Sequence, residues 1–319
     1  MKEPFVRPDV RVFLDAMKAN PRPLMTAENI AAMRLLAPQG MAMSEPPIGE
    51  LALMRDAVMP GPSGAIELRL FDARAEREPG PAVVFFHGGG FVIGNIDTHA
   101  SMCAEIARRL DLPVISVDYR LAPEHPWPAA PDDAEAAARW IAANDNSFGR
   151  VVTGLVLCGD SAGANLAIVS ALALRDQPAS VPVVALIALY PKADSSGHYA
   201  SMDMFGDGYG LIISEMHFFE AALKQPPDHW RASPVVADQT GMPATLVVTA
   251  ALDPLRDEGR AYAAKSIAAG VPTTYREFAG TIHGFLGYRR VIPSAQNDFV
   301  TVLEIARAMI QESLASPPR

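Results

Sequence analysis

The stretch LCGDSAGAN, residues 157–165, places a serine among small residues at the end of an apolar run. Its centre matches the pattern G-x-S-x-G, which has chemical meaning where a strand turns sharply into a helix. The apolar run 154–158 and the helix-like sequence after Ala162 supply that context. Such a turn admits only small neighbours, which Gly159 and Gly163 provide, and holds its serine at the carboxyl end of a sheet. The alternative is a plain glycine-rich turn, but this setting predicts Ser161 as a nucleophile at a helix amino terminus.

A serine hydroxyl is a weak nucleophile unless a base removes its proton, and histidine has the pKa closest to neutrality. The first three histidines after Ser161 belong to an irregular stretch that follows no strand of a sheet. The fourth, in the loop AGTIHGF, comes soon after the strand-like run 273–278 and at the same predicted sheet end. The four candidates are His198, His217, His229 and His283. Position and chain order therefore predict His283 as the base.

The base needs a carboxylate that orients it and stabilises its protonated form. The run 244–250 is followed directly by LDPLRDEG, which offers three acidic residues. Asp257 and Glu258 begin the next helix, where acidic side chains commonly complement the helix dipole. Asp253 lies just past the strand, so the sequence predicts Asp253 as the third member of a Ser-His-Asp triad.

Three consecutive glycines, residues 88–90, follow the apolar run 82–86. Attack on a carbonyl produces an oxyanion, which needs N–H donors fixed where the charge develops. A loop that brings backbone amides close to a substrate has no room for side chains and can need positive φ, and glycine meets both conditions. We expect Gly88 and Gly89 to donate, together with Ala162, and the third glycine to be structural.

Other interpretations of these motifs fit less well. The glycine triplet is not G-x-G-x-x-G, and the chain contains no G-K-[ST], so a phosphate-binding loop is excluded. His87 ends a strand and is expected to brace the glycines rather than to react. Cys158 as an alternative nucleophile would lie inside an apolar strand, which favours core packing.

These residues must be positioned by alternating strands and helices. Strand-like runs occupy residues 65–71, 82–86, 113–119, 154–158, 183–190, 244–250 and 273–278. Helix-like segments occupy residues 99–110, 132–144, 258–270 and about 295–314, and Gly270 is a plausible helix terminator. Several strands are apolar almost throughout, as expected for strands covered on both faces. This alternation predicts an α/β fold with a mainly parallel sheet flanked by helices.

Bulk properties limit the classes of partner and compartment. A net charge of −9 argues against nucleic acid or an anionic membrane surface as a partner. Two cysteines among 319 residues indicate neither a disulfide framework nor a cysteine-rich zinc site, which fits a reducing compartment. No run reaches about 18 apolar residues, and the first residues lack the apolar core of a signal peptide. We expect an acidic, soluble, cytoplasmic protein.

Two segments interrupt the alternation and are expected to form a helical cap over one end of the sheet. The predicted organisation is an N-terminal cap segment (1–50), a first part of the catalytic domain (51–194), a cap insertion (195–238) and a second catalytic part (239–319). Both cap segments are rich in methionine, which adapts to varied apolar guests. Pocket lining and ordinary helix packing both remain open for Met17, Met25, Met33, Met41, Met43, Met202, Met204 and Met216.

Taken in order, HGGGF, DYRLAPEHPWPAAPDD, GDSAGAN, DPLRDEG and HGF resemble the bacterial hormone-sensitive-lipase-like esterases, in the branch with the GDSAG motif. The resemblance covers roughly residues 64–300. It implies an α/β-hydrolase fold with eight strands, the second of them antiparallel, and a cap. It also implies hydrolysis of esters with short to medium acyl chains, with no cofactor or metal.

The same resemblance assigns the triad to Ser161, Asp253 and His283, in agreement with the reading of the individual residues. It further implies that Arg120 and Glu124 are buried partners that fix the loops of the site. Homodimers are frequent in such families, so a homodimer is compatible with the resemblance. Two alternatives stay open: the same triad acting on amides, peptides or lactones, and a ligand-binding receptor on a hydrolase scaffold. Such receptors can lose the histidine, and His283 is present.

Overall fold

A computed structural model describes residues 3–143 and 148–315, and within these residues the chain forms eight strands and nine α-helices. The strands are β1 (Leu53–Gly61), β2 (Gly64–Asp72), β3 (Gly80–Phe86), β4 (Val114–Asp118), β5 (Val152–Asp160), β6 (Val183–Leu189), β7 (Ala244–Leu252) and β8 (Thr273–Ile282). The helices are α1 (Pro8–Ala19), α2 (Ile30–Ser44), α3 (Ala100–Leu110), α4 (Ala129–Ala142), α5 (Ala162–Asp176), α6 (Ala200–Phe205), α7 (Ile213–Leu223), α8 (Arg256–Ala268) and α9 (Pro293–Ala315).

All eight strands join one sheet in the order β1-β2-β4-β3-β5-β6-β7-β8. Strand β2 is antiparallel to both of its neighbours, and the pairs from β4 to β8 are parallel. The predicted α/β-hydrolase fold, with a mostly parallel eight-stranded sheet flanked by helices, is confirmed. The seven strand-like runs of the sequence correspond to β2 through β8, so β1 was not predicted. It lies at the sheet edge and carries exposed Arg55 and Asp56, so it lacks the apolar signature of a central strand.

The sheet separates two apolar cores, and strand β3 shows how the sequence feeds both. Its alternate residues Val84 and Phe86 belong to the core beneath α4, α5 and α8. Val83 and Phe85 belong to the core beneath α3 and α9 on the other face. All four side chains are fully buried, because successive side chains of a strand point to opposite faces and helices cover both. The central strands are therefore held rigidly at their carboxyl ends.

The predicted helices occur close to their expected positions. The segment 99–110 forms α3, and α9 extends the closing helix by one or two residues at each end. The segment 132–144 corresponds to α4, which begins three residues earlier. The last residue of the predicted segment, Asn144, lies outside the described residues. Gly270 follows α8 with φ of +77°, the left-handed conformation expected of a helix terminator.

The two N-terminal helices take different positions. Helix α1 lies at the flank of the sheet, where its buried side chains join the core beneath α9 and the Arg7 amide before it donates to the Gly280 carbonyl. Helix α2 lies beside the loops that follow β3 and β4. There Arg34 donates to the carbonyl oxygens of Val92 and Ala122, at 2.7 and 2.5 Å. The insertion between β6 and β7 contains α6 and α7.

The expected pairing of Arg120 with Glu124 is wrong. Arg120 forms a bidentate pair with Asp133, which is fully buried in α4, with its Nη2 2.7 Å from Asp133 Oδ1. Glu124 is half exposed and pairs with Arg34 of α2 at 2.9 Å. The loop after β4 thus directs its arginine inward to the start of α4 and its glutamate outward to the N-terminal segment.

Among the helices of residues 3–143 and 148–315, none combines the length and the apolar character that crossing a bilayer requires.

Candidate active site

The turn from β5 into α5 has almost no free space. Ser161 lies between the strand and the helix with φ of 55° and ψ of −115°, a conformation that non-glycine residues seldom adopt. A Cβ atom on Gly163 would lie 1.9 Å from the carbonyl oxygen of Phe86, and one on Gly159 would lie 2.3 Å from the carbonyl oxygen of Gly163. Only glycine fits at either position, and the turn projects the serine hydroxyl beyond the end of the sheet.

The three predicted triad residues meet in one chain of hydrogen bonds. His283 Nε2 lies 2.9 Å from Ser161 Oγ, and His283 Nδ1 lies 2.8 Å from Asp253 Oδ2. Asp253 is fully buried, and its other carboxylate oxygen accepts the N–H of Leu255 at 2.7 Å. His283 is supplied by the loop after β8 and Asp253 by the loop after β7, as their chain positions predicted. This is the arrangement in which a histidine can take a proton from a serine hydroxyl.

The environment of His283 favours its protonated form. Burial alone would lower the pKa of His283, but the charge and hydrogen bond of Asp253 outweigh it and raise this pKa above its usual 6.5. The ring of Tyr190 contacts the imidazole edge-on, with 5.1 Å between ring centroids. The imidazole is therefore held in one orientation and is poised to gain a proton.

The rival acidic residues have other partners. Glu258 is fully buried and accepts the backbone N–H groups of Ala193 and Asp194, each at 3.0 Å, as well as the ammonium of Lys192. Asp257 pairs with two arginines on its own helix. The rival histidines have other surroundings as well: His198 pairs with Asp203 at the surface, His217 is exposed, and His229 contacts the ring of Trp127.

The glycine loop (residues 87–94) lies directly against the serine turn, and here one expectation is wrong. The Gly88 N–H donates to Oδ1 of Asp160 at 2.7 Å, so it is not free to bind a substrate oxygen. The sequence contains Asp160, but only the fold shows that its side chain turns beneath the loop. Gly88 is therefore an anchor of the loop rather than a donor of the oxyanion hole.

His87 fixes the peptide group between Gly88 and Gly89. Burial, followed by the charge of His99, lowers the pKa of His87 to about 3, so its ring is neutral. Its Nδ1 lies 2.8 Å from the Gly88 carbonyl oxygen and donates to it. In a trans peptide the C=O of one residue and the N–H of the next point in opposite directions. The Gly89 N–H therefore points away from the His87 ring. His87 holds the glycine loop in place, as its position in the sequence predicted.

Three amides remain for a substrate oxygen. Within the described residues, the N–H groups of Gly89 and Gly90 have no hydrogen-bond acceptor. Ala162 opens α5, so its N–H has no partner within the helix. Gly89 and Gly90 have φ of +117° and +62°, and a Cβ on Gly89 would lie 2.2 Å from the carbonyl oxygen of Ile93. Both positions require glycine, which is why the triplet is present.

A narrow apolar cavity of about 50 Å³ adjoins the serine. The ring of Phe219 lies over the glycine loop, so close that a Cβ on Gly90 would be 2.4 Å from it. Helix α7 of the insertion supplies much of the wall. Of the eight methionines singled out in the sequence, Met216 is the one found in the cavity lining among the described residues. The apolar lining consists of Phe91, Leu211, Met216, Phe219, Leu223 and Leu255.

Cys158 is buried in β5, and burial raises the pKa of its thiol well above the ordinary value. A thiol that stays protonated inside the core is a poor nucleophile. The part of the chain that the structure describes contains no group of three or more His, Cys, Asp or Glu side chains arranged to hold a metal ion.

Comparison with known proteins agrees with this geometry. Residues 83–287 match a family described by the α/β-hydrolase fold. The chain is 37% identical to the carboxylic ester hydrolase LipN of Mycobacterium tuberculosis over 241 residues, which span 72% of this chain and 64% of LipN. It is 36% identical to the esterase LipI of the same organism, over 75% of this chain and 77% of LipI.

Solved structures give the same result over more of the chain. The ester-hydrolase EH1AB1, from the metagenome of Lake Arreo, superposes with a TM-score of 0.88 and 39% identity and covers 95% of this chain and 98% of its own. A Pyrobaculum calidifontis esterase superposes with a TM-score of 0.86 and 31% identity, over 95% and 99% of the two chains. The chain belongs to the α/β-hydrolase fold family, among the hormone-sensitive-lipase-like esterases.

Proposed function

We propose that this protein is a carboxylesterase that hydrolyses short- to medium-chain acyl esters through an acyl-enzyme on Ser161. The observation that carries the proposal is the continuous hydrogen-bonded chain from Ser161 through His283 to Asp253. Beside it lie three backbone amides with no acceptor in the part of the chain that the structure describes. The names of its relatives, which are esterases and carboxylic ester hydrolases, support the same activity.

In the proposed first half-reaction, Ser161 Oγ attacks the ester carbonyl while His283 Nε2 takes the hydroxyl proton. Asp253 holds the Nδ1–H and stabilises the imidazolium, but does not itself become protonated. The imidazolium then donates its proton to the departing alcohol, which leaves the acyl group on the serine. In the second half-reaction water replaces the alcohol, and the same base and acid steps release the carboxylic acid.

Each half-reaction passes through a tetrahedral intermediate with a negative oxygen. We propose that the amides of Gly89, Gly90 and Ala162 bind this oxygen. Each is a backbone group fixed by the fold, so it needs no reorganisation as charge develops. Loss of one such donor in other hydrolases costs about 10²–10³ in kcat. The amino terminus of α5 adds a favourable partial positive charge at the same place.

The apolar cavity beside Ser161 is proposed to hold the acyl chain. A volume of about 50 Å³ is a few times the minimum of about 10–15 Å³ that one water requires, so it suits a chain of a few carbons. An amine leaving group needs stronger protonation than an alcohol, which makes amides the less favoured substrates of the same triad. Lactones share the ester chemistry.

Three expectations from the sequence stay predictions: the division into cap and catalytic segments, the cytoplasmic location and a homodimer. Helix α7 supports the role of the insertion as a cap, because it forms one wall of the cavity. Helix α2 lies beside the same loops and supports a similar role for part of the N-terminal segment.

We expect Ser161→Ala to lower kcat on p-nitrophenyl acetate by about 10⁶-fold and to leave the fold unchanged, because it removes the nucleophile alone. Ser170→Ala, a buried serine of the same helix, serves as the matched control and is expected to retain activity. A fluorophosphonate probe should label the wild type at residue 161, as read by mass spectrometry. Retention of more than a tenth of wild-type activity by Ser161→Ala would refute the assignment.

We expect kcat/KM of the wild type to fall as the pH falls through a midpoint above 6.5. His283 accepts a proton only when neutral, and Asp253 raises its pKa. Asp253→Asn removes that charge, so the midpoint should move to lower pH, and kcat should drop by about 10⁴-fold because the imidazole loses its correct tautomer.

The control for this pH profile is Asp257→Asn, which neutralises the neighbouring rival carboxylate and should change neither the midpoint nor kcat. Equal pH midpoints in the wild type and Asp253→Asn would contradict the assigned role of Asp253.

We expect rates on p-nitrophenyl esters to be highest for acyl chains of two to four carbons. Phe219→Ala should raise kcat/KM on the octanoate relative to the butyrate by at least about tenfold, because each methylene in an apolar pocket is worth about 10–200-fold. Met204→Ala, in the neighbouring helix α6 and outside the cavity lining, is the matched control. An unchanged chain-length profile in Phe219→Ala would show that the acyl chain lies elsewhere.

A further inference from the structure

A second imidazole–carboxylate pair lies behind the nucleophile. Asp160 directly precedes Ser161, and its Oδ1 lies 3.3 Å from Nε2 of His99, in the turn that leads into α3. Both residues are buried, with 6% and 9% of their surface exposed. Neither is a member of the Ser161–His283–Asp253 chain, and the mechanism above does not use His99.

The hydrogen-bond partners of His99 fix the orientation of its ring. Its Nε2 faces the Asp160 carboxylate oxygen, to which it donates. Its Nδ1 lies 2.9 Å from Thr98 Oγ1, which also accepts the Asn95 N–H at 2.9 Å. Both ring nitrogens therefore have a polar partner.

The surrounding charges favour a protonated ring. Burial disfavours the charged ring, but the Asp160 charge and hydrogen bond, and then the Glu45 charge, outweigh it and raise the pKa of His99. Burial raises the pKa of Asp160, yet His99 and the Gly88 amide together hold it below its usual range. Glu45 is itself paired with the buried Arg289 at 2.8 Å. Each of the two buried carboxylates thus has a nitrogen donor beside it.

The carboxylate of this pair is also the anchor of the glycine loop. Asp160 Oδ1 accepts the Gly88 N–H at 2.7 Å. On the other side, His87 Nδ1 donates to the Gly88 carbonyl oxygen at 2.8 Å. The Gly88 residue is therefore fixed on both sides. The next peptide group is held separately, because the Gly89 carbonyl oxygen accepts the N–H groups of Val92 and Ile93 at 3.0 and 2.9 Å. A shift of Asp160 would move the Gly88 peptide and, with it, the direction of the Gly89 N–H.

We infer that His99 is a positioning residue that acts through Asp160 to anchor the glycine loop at Gly88. It touches neither the substrate nor the reacting atoms. Its Nε2–H donates to the Asp160 carboxylate and keeps it in place beneath Gly88, so that the Gly89 N–H faces the substrate carbonyl. This inference rests on the proposed function, because it assigns the Gly89 amide to the oxyanion.

The test begins with His99→Phe, which keeps a ring of similar size and removes both ring nitrogens, among them the donor to Asp160. We expect kcat on p-nitrophenyl acetate to fall by about 10- to 100-fold with KM unchanged, because misplacing a group by about 1 Å can cost 10²-fold. Affinity for phenylboronic acid, whose serine adduct is tetrahedral and negatively charged, should fall by a similar factor. Rates are normalised to the final extent of fluorophosphonate labelling, which counts folded sites.

A double-mutant cycle with Asp160→Asn separates positioning from general damage. Asparagine can still accept the Gly88 N–H and needs no counter-charge. We therefore expect His99→Phe to cost less than threefold in the D160N background. The control is Asp72→Asn, which breaks a buried pair with Arg77 and Arg150 at the opposite end of the sheet. It should lower thermal stability and leave kcat unchanged.

An equal loss in both backgrounds, or a loss below threefold in His99→Phe alone, would overturn the inference. If His99→Phe does not fold, nitrogen NMR of the His99 ring in the wild type decides: an Nε2–H that is hydrogen-bonded to the Asp160 carboxylate supports the inference, and an unprotonated Nε2 overturns it. A wild type without esterase activity would refute the proposed function instead, so the two failures are distinguishable.

Discussion

The close approach of the end of β3 to the start of α5 is the constraint on which the site depends. A side chain on Gly163 would collide with the Phe86 carbonyl, so the two segments touch through backbone alone. This contact brings the serine turn and the glycine loop together although 72 residues separate Gly88 from Asp160. The strained φ of Ser161 follows from the same contact, and the two buried cores on either side of the sheet keep the strands from relaxing it.

Two imidazole–carboxylate pairs flank the serine, and they differ in the partner that they face. In the proposed mechanism His283 takes the proton of the Ser161 hydroxyl, so this ring alternates between neutral and charged forms during turnover. His99 faces the carboxylate that accepts the Gly88 N–H and has no part in this proton transfer. In the proposed roles, the first pair moves a proton and the second holds a backbone amide. Burial makes both pairs strong, because neither carboxylate can find water as an alternative partner.

Local signals in the sequence sufficed to place the three candidate triad residues together, because their positions follow from chain order. The turn around Ser161, the order of Asp253 and His283 after successive strands, and the mainly parallel sheet needed no long-range contact to predict. The identity of the donor amides did depend on a long-range contact. Gly88 is excluded as a donor to the substrate only because the side chain of Asp160 accepts its N–H. Glu124 was misjudged for a similar reason, since its partner Arg34 lies 90 residues away. Such side-chain directions depend on packing between distant segments, which no periodicity records.

The proposed mechanism requires the serine oxygen, the imidazole and the amides of Gly89, Gly90 and Ala162 to converge on one reacting carbonyl. A crystal structure of the protein after reaction with a p-nitrophenyl phosphonate tests this convergence. We expect phosphorus bonded to Ser161 Oγ, with a phosphonyl oxygen about 2.7–3.1 Å from those three amide nitrogens and the Gly88 N–H still bound to Asp160. A phosphonyl oxygen that faces away from the glycine loop, or an adduct on another residue, would contradict it.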